Sequence, residues 1–393
     1  MPKVFNVTAV CIPEKHYMVN IEERLKEIKV LVDGENYFTI NQARQYGKTT
    51  TLRALEKYLK KDYNIIFMDF QTFGSAEFQD ENIFSLSFAD LFLDLFKNIE
   101  MSISEELRKA INELQLQINC RNSFFTLNAL FRRLSNICAY SKKPIVLMID
   151  EIDSAIDNQV FVDFLAQLRA YYIKRDTQPT FQSVILAGVY DVKNLKRKFY
   201  LEKGHKMNSP WNIAADFKID MSFSKHEIAG MINQYEMDYH TGMNIDKVAC
   251  LLYDYTSGYP FLVSRLCKLL DEEVSITSGS KSAAWTENGF YEAVQLILTE
   301  KNALFDSLIG KLMSYPELNV MIESLLFTRK NISYNSDEPA IDIAAMFGFI
   351  KKQDHMVIIA NRIFETRLYN RYLSVAELSG EEYNRCGEKL LAR

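Results

Sequence analysis

The chain has 393 residues, 48% of them hydrophobic and 25% charged, which is ordinary for a globular protein of two or three domains. Its formal net charge of −5 excludes a polyanion-binding surface spread over the whole molecule, so any nucleic-acid contact has to be a local basic patch. The sequence contains no apolar stretch long enough to span a bilayer and no signal-peptide pattern, and its six cysteines are scattered, so we expect a cytoplasmic protein with reduced thiols and no membrane contact.

The first predicted helix follows Asn20, which is a candidate N-cap because Glu23 stands three residues later. A turn at Asp33-Gly34 then leads into the strand Tyr37–Ile40, which is rich in aromatic and β-branched residues. A helix from Thr50 to Lys60 comes next. This strand and this helix enclose the segment that carries the first motif.

The enclosed segment fits a phosphate-binding loop, G-x-x-x-x-G-K-[ST], with Gln42 at the first glycine position. Backbone N–H groups and a helix N-terminus can cradle phosphates, Lys48 can reach the β- and γ-phosphates, and Thr49 can place its hydroxyl on Mg²⁺. The alternative is that Lys48 is a solvated lysine at a helix start. The candidate nucleotide-binding residues of this segment are Gln42, Ala43, Arg44, Gln45, Tyr46, Gly47, Lys48, Thr49 and Thr50.

A second motif follows about a hundred residues later, where the apolar run from Ile145 ends in Asp150-Glu151. Such a run is typical of a strand buried on both faces of a parallel sheet, whose carboxyl end is where ligands bind. We expect Asp150 to hold Mg²⁺ together with Thr49, and Glu151 to polarise the attacking water. The alternative is a strand that ends in a solvated turn. With both motifs in this order we prefer the nucleotide interpretation, in which Glu151, Asp150 and Lys48 are catalytic.

Further strands are predicted at Ile65–Phe70, Phe181–Val189 and Phe217–Met221, separated by helices. This alternation indicates right-handed βαβ units and a parallel sheet flanked by helices. The fold class is therefore α/β, of the P-loop NTPase type. A basic stretch, Lys193 to Lys206, separates the last two strands. A solvated face is its usual explanation, and contact with nucleic acid or an acidic partner is the alternative.

The remainder of the chain is mostly helical in pattern. Ser224 and Glu227 form a capping-box pattern, and Gly258-Tyr259-Pro260 ends one later helix and begins the next. Residues 275–282 are a small polar linker, and residues 348–359 indicate a hairpin among helices, as in a winged helix. The predicted domains are a P-loop core over 1–222, a helical lid over 223–275, a winged-helix-like domain over 283–375 and a tail over 376–393.

Three segments together resemble the bacterial AAA-like ATPase domains, near the STAND and archaeal-type ATPases. They are Ile40–Thr50, Met68–Gly74 and Asp150–Asp153. The resemblance implies ATP and Mg²⁺ as cofactors, and it extends over roughly Tyr17 to Leu373. Two features depart from the family pattern, namely Gln42 and the lack of an obvious arginine-finger motif, for which Arg169 and Arg175 are positional candidates. Slow or partner-stimulated hydrolysis fits both departures.

The same resemblance supplies further candidate contacts to the nucleotide. Gly258-Tyr259-Pro260 is similar to the G-x-P motif of STAND and origin-recognition ATPases, whose proline packs near the adenine. The segment with Tyr17 and Met18 is placed where many P-loop ATPases contact adenine, with a plain capped helix as the alternative. Where a strand is inserted between the two motif strands, a polar residue after it senses the γ-phosphate. Tyr190 and Asp191 are the candidates, with a helix cap at Asp191 as the alternative.

Two functions follow from these motifs. The first is a Mg²⁺-dependent ATPase that couples its nucleotide state to a partner. The alternative is a nucleotide-gated switch or adaptor with little turnover, which recruits protein or DNA through its lid and winged helix. The implied partners are a protein or effector chain and DNA, the latter through the winged helix or Lys193–Lys206, while oligomerisation and the choice between ATP and GTP are left open. No second catalytic constellation follows the linker, so we expect any effector activity in a separate chain.

Overall fold

The computed structural model describes residues 2–99, 104–190, 211–328 and 331–379. The basic stretch Lys193–Lys206 and the sensor candidate Asp191 lie outside the described residues. By their contacts the residues divide into two compact units. The sheet unit comprises Ile21–Asn41 and Lys48–Ile219, and the helical unit comprises Met1–Asn20, Gln42–Gly47 and Asp220–Arg393.

The sheet unit alternates strands and helices, as the sequence predicts. Its longer elements in the described ranges are α1 (Glu22–Asp33), β1 (Phe38–Asn41), α2 (Lys48–Leu59), β2 (Asn64–Asp69), α3 (Glu81–Lys97), α4 (Glu105–Asn119), α5 (Leu127–Tyr140), β3 (Ile145–Asp150), α6 (Gln159–Ile173) and β4 (Ser183–Gly188).

The strands form one parallel sheet in the order β1-β4-β3-β2. The strand β4 therefore lies between β1, which precedes the loop, and β3, which ends in the acid pair. The predicted strand at Phe217–Met221 is wrong. The N–H of Ala215 donates to the Tyr37 carbonyl oxygen at 2.8 Å, and the Phe217 ring stacks on Phe38 of β1, but no ladder follows the single bridge at Ala215.

The core of the sheet unit is dominated by phenylalanine. Every residue of β3 and β4 is buried, and helices α3, α5 and α6 contribute buried phenylalanine rings to the same core. Each buried Phe contributes about 1.5–3 kcal/mol relative to an exposed one. The only tryptophan of this unit, Trp211, is 0% exposed, and its Nε1 donates to the Thr39 hydroxyl at 2.7 Å. The buried rings of the cluster include Phe70, Phe84, Phe88, Phe92, Phe96, Phe131, Phe161, Phe164 and Phe181.

The helical unit carries the later part of the described chain. Its longer elements are α7 (Lys225–Tyr239), α8 (Ile245–Thr256), α9 (Pro260–Leu269), α10 (Glu287–Thr299), α11 (Ala303–Ser314), α12 (Pro316–Phe327), α13 (Pro339–Met346), β5 (Ile350–Gln353), β6 (Met356–Ile359) and α14 (Arg362–Ser379). The strands β5 and β6 pair as the predicted hairpin. Helix α9 continues into a π-helical turn, Leu270–Val274.

Local capping chemistry explains several helix ends. The capping box of Ser224 and Glu227 is present at the start of α7. The predicted cap at Asn20 is wrong, because Ile21 occupies the N-cap position of α1 without a side-chain hydrogen bond. The predicted linker, residues 275–282, contains the short helical turn Ser275–Thr277 and the start of a second at Lys281, where the Ser280 hydroxyl accepts from the N–H of Ala283.

An aromatic cluster ties the N-terminal segment to the rest of the helical unit. The Tyr17 ring is 3% exposed and lies 4.8 Å from Phe5 and 5.4 Å from Tyr235, measured between ring centroids. Trp285, which is 1% exposed, lies 4.7 Å from Tyr235 by the same measure. The Tyr17 hydroxyl donates to the Asp238 carboxylate at 2.7 Å. These contacts hold the segment before α1 against α7.

In the turn before α9, the backbone of Gly258 lies unusually close to the backbone of Phe223. Gly258 has φ of +73°, and a Cβ placed there would lie 2.1 Å from the carbonyl oxygen of Phe223. The N–H of Phe223 also donates to the Gly258 carbonyl oxygen at 2.8 Å. Only glycine satisfies both the positive φ and the short distance.

We therefore expect Gly258→Ala to lower the free energy of unfolding by about 2–5 kcal/mol, from the left-handed conformation and the forced displacement together. The measurement is urea denaturation. Gly230→Ala, inside α7, is the matched control, because a Cβ there meets no atom within 4 Å and φ is not positive. Equal denaturation midpoints for the two variants would contradict the close-approach explanation.

Candidate functional site

The candidate phosphate-binding loop, residues 42–47, links β1 to α2. Its left-handed residues are Gln45, with φ of 58°, and Gly47, with φ of 79°. The backbone at Gln42 does not adopt positive φ. A glycine is therefore not required at this position, which accounts for the departure from the usual motif.

Lys48 and Thr49 form the first turn of α2, in the sheet unit. The Lys48 side chain is only 8% exposed, and its charge acts on both Asp150 and Glu151. Thr49 hydrogen-bonds through its side chain to Asp150. Two segments separated by about a hundred residues thus meet at the carboxyl end of the sheet, as expected from the parallel strands.

Asp150 ends β3 as a buried acid, 1% exposed. Burial raises the pKa of its carboxyl group, while the Thr49 hydroxyl, the N–H of Glu151 and the charge of Lys48 lower it. The N–H of Glu151 donates to Asp150 Oδ1 at 2.9 Å. The buried carboxyl group is therefore held in place by two donors and one nearby cation.

Glu151 has a strained backbone, with φ of 54° and ψ of 40°. A non-glycine residue in this region costs about 1–2 kcal/mol, and such strain is concentrated at functional sites. The residue is exposed as a whole, but partial desolvation raises the pKa of its carboxyl group, as does the charge of Asp150, while Lys48 opposes both. With this conformation the chain turns away from the sheet after β3. The Ser154 hydroxyl stabilises the turn by donating to the Glu151 carbonyl oxygen at 3.0 Å.

Asp69 is a neighbour that sequence reasoning did not select. It ends β2 in register with Asp150, and its charge raises the pKa of both Asp150 and Glu151. One of its carboxylate oxygens accepts from the N–H of Gln71 at 2.9 Å. An acid at the end of the adjacent strand, visible in Met68-Asp69, is the signal that could have identified it.

Asp153 hydrogen-bonds to the backbone that follows β4. Its carboxylate accepts the N–H of Val189 through both oxygens at 2.9 Å, and the N–H of Tyr190 at 3.1 Å. These bonds fix the chain where it leaves β4, the strand inserted between β1 and β3. The Asp153 carboxylate is thus engaged with backbone amides, and the role of Glu151 as the base stays a prediction. Whether Tyr190 senses a phosphate stays a prediction.

The candidates in the helical unit lie at two places. Pro260 is the first residue of α9 and is buried. Tyr17 and Met18 lie against α7, where the Met18 carbonyl oxygen accepts from Gln234 Nε2 at 2.7 Å. In the same unit the Tyr259 hydroxyl donates to the carbonyl oxygen of Arg44 in the loop. Contact of Tyr17, Met18 or Pro260 with an adenine base stays a prediction.

The oxygen ligands present fit Mg²⁺ bound together with a nucleotide. Thr49 and Asp150 supply a hydroxyl and a carboxylate within hydrogen-bond reach of each other, and Mg²⁺ is commonly held by one or two such groups plus substrate phosphates. Within the described ranges, no group of three or more His, Cys, Asp or Glu side chains forms a metal cage.

The arginine-finger candidates lie on and after α6. Arg175 pairs with Glu35 at 3.5 Å and lies over the Tyr172 ring, 4.3 Å from its centroid. Arg169 has a buried Nε without a hydrogen-bond partner among the described residues. A role for either residue in hydrolysis stays a prediction.

Comparison with known proteins gives one matching family and several solved structures of similar fold. The model of the AAA-like domain family matches residues 17–375. The Walker-type ATPase PABY2304 of Pyrococcus abyssi is similar in structure, with a TM-score of 0.60 and 13% identity, covering 93% of this chain and 99% of that one. The Aeropyrum pernix ORC2 protein, solved in ADPNP–ADP complexes, has a TM-score of 0.52 and 11% identity, covering 96% of this chain and 98% of that one.

At these identities the two structures show a shared fold, that of the P-loop ATPases. No curated protein is similar enough in sequence to be matched. In the described part of the chain, no helix is both long and apolar enough to cross a membrane.

Proposed function

The chain belongs to the family of AAA-like domains, which are nucleotide-binding ATPases, and on that premise we propose that it is a Mg²⁺-dependent ATPase that couples its nucleotide state to a partner. The observation that carries the proposal is the meeting of Lys48 and Thr49 with Asp150 and Glu151 at one end of the sheet. A hydroxyl and a buried carboxylate for a metal, a cation for phosphate charge and an acid for water are what phosphoryl transfer requires.

Each side chain has a role in the proposed reaction. Lys48 binds the β- and γ-phosphates and offsets their charge, and the backbone N–H groups of residues 42–47, immediately before it, cradle the phosphates. Thr49 and Asp150 hold Mg²⁺, which when bound neutralises the charge that develops on the phosphate oxygens. Glu151 orients the attacking water and accepts its proton, and its raised pKa makes it a stronger base than an ordinary glutamate.

Adenine is the proposed base, supported by the ADPNP–ADP complexes of the Aeropyrum pernix protein with this fold. The winged-helix-like arrangement of the hairpin β5–β6 with its neighbouring helices is the proposed place for a protein or DNA partner. Because the acid Glu151 is present, hydrolysis is preferred over a switch without turnover.

The test is to measure binding and hydrolysis of ATP and of GTP by the purified full chain, with Mg²⁺ and with EDTA. We expect micromolar or tighter binding of ATP, and turnover that is lost in EDTA. The hydrolysis measurement is then repeated with duplex DNA. Turnover that rises with DNA supports a DNA partner, and an unchanged rate leaves a protein partner. The absence of both binding and hydrolysis in the presence of Mg²⁺ would overturn the proposal.

A further inference from the structure

The turn from Ser257 to Pro260 contacts the phosphate-binding loop through one tyrosine, within the helical unit. The Tyr259 ring is 3% exposed, and its hydroxyl donates to the carbonyl oxygen of Arg44. The ring also meets Tyr46 edge to face, with 4.6 Å between centroids and 69° between planes. Burial raises the pKa of Tyr259, so this hydroxyl remains a donor at any physiological pH.

Holding the Arg44 carbonyl also orients a donor of the loop. The carbonyl of Arg44 and the N–H of Gln45 belong to one planar trans peptide, so they point in opposite directions. Once the Tyr259 hydroxyl fixes the carbonyl, the direction of the Gln45 N–H is fixed as well. Loops of this type bind the α- and β-phosphates through backbone N–H groups. The tyrosine thus prearranges part of the anion-binding backbone without touching the anion.

Elements near the C-terminus of the described chain hold Tyr259 in turn. Its ring meets Phe364 of α14, with 5.4 Å between centroids and 71° between planes. Lys351 of the strand β5 donates through Nζ to the Ser257 hydroxyl at 2.8 Å. The neighbouring Gly258 lies close against the backbone of Phe223. The position of the tyrosine is therefore set by the hairpin, by α14 and by the turn before α7.

We propose that Tyr259 is a positioning residue through which the C-terminal hairpin sets the phosphate-binding geometry of the loop at residues 42–47. This inference rests on the proposed function, namely that the loop binds the phosphates of ATP. A partner that displaces the hairpin would change nucleotide affinity through the contact of Tyr259 with Arg44. By reciprocity, nucleotide bound in the loop would change the affinity of the hairpin for its partner by the same factor.

The first test is Tyr259→Phe, which removes only the hydroxyl. We expect the Kd for ATP and for ADP to rise by the same factor, about threefold to tenfold, the range that one net hydrogen bond corresponds to. The factors match because both nucleotides carry α- and β-phosphates. Turnover at saturating ATP should stay unchanged, since Glu151, Asp150 and Thr49 are intact. Tyr372→Phe is the control, because its hydroxyl donates to Asn319 Oδ1 at 2.9 Å in the same unit.

The second test is a double-mutant cycle with Lys351→Met, which alters the hairpin and not the loop. We expect this variant alone to weaken ATP and ADP about twofold to fivefold, and to have no further effect in the Tyr259→Phe background, because coupled residues are not additive. If the changes in Kd are additive, or if Lys351→Met leaves the affinity unchanged, the hairpin does not act on the loop through Tyr259. Unchanged affinity in Tyr259→Phe, with ATP still binding the unaltered chain, would overturn the inference alone. An unaltered chain that fails to bind ATP would instead overturn the proposed function.

Discussion

Glu151→Gln is expected to lower ATP turnover by about 10²–10⁴-fold, the range typical of a lost general base, while ATP still binds. The amide is nearly isosteric with the acid, so the strained backbone at residue 151 and its N–H bond to Asp150 can persist. An amide cannot accept the proton of the attacking water. The measurement is single-turnover hydrolysis at saturating ATP, beside an equilibrium titration of ATP.

Asp150→Asn is the variant to compare with Glu151→Gln. Asp150 is buried and receives the Thr49 hydrogen bond, so its change should also weaken the Mg²⁺-dependent part of ATP binding, which Glu151→Gln leaves intact. Should Glu151→Gln hydrolyse ATP at the parent rate, Glu151 is not the base. Asp153→Asn would then be the next variant, although its carboxylate is engaged with the amides of Val189 and Tyr190.

Lys48→Ala is expected to abolish nucleotide binding, raising the Kd by about 10²–10⁴-fold. This corresponds to the loss of two hydrogen bonds to charged groups, each contributing about 1.5–3 kcal/mol. The variant also removes the cation that lowers the pKa of Asp150 and Glu151, so both acids hold protons more readily. The measurement is titration calorimetry with ATP and Mg²⁺.

Lys57→Ala is the matched control, since Lys57 lies in the last turn of the same helix and is exposed. Circular dichroism should show both variants folded. An unchanged ATP affinity in Lys48→Ala, with that helix intact, would remove the phosphate-binding assignment from residues 42–48.

The sheet could be predicted from sequence because each inner strand has a recognisable local residue pattern. Ile145–Asp150 and Ser183–Gly188 are continuous apolar runs, buried along their full length, and such runs are typical of inner parallel strands. The stretch Phe217–Met221 alternates apolar residues with Lys218 and Asp220, and it forms no ladder beyond the single bridge at Ala215. The composition of a short segment alone does not show whether that segment pairs with the edge strand of a sheet.

The acid pair and the lysine could be predicted because their spacing forms motifs. The contacts of Asp153 and Tyr259 could not be predicted, because each residue hydrogen-bonds to a partner far away in sequence. The partner is Val189 for Asp153 and Arg44 for Tyr259. The Asn20 cap failed for a related reason. A capping pattern predicts chemistry, but the backbone of Ile21 determines where the helix begins.

The distribution of tryptophan has a spectroscopic consequence. The chain has two tryptophans. Trp211 is buried in the sheet unit, and Trp285 is buried in the helical unit. Tryptophan emission shifts to longer wavelength when the indole enters water, so each unit carries its own optical reporter of unfolding. A Trp211→Phe chain reports only the helical unit and a Trp285→Phe chain only the sheet unit. A bound ligand raises the free energy of unfolding of the part of the protein that binds it. Denaturing each variant with and without Mg²⁺ and ATP would therefore show which unit the ligand stabilises.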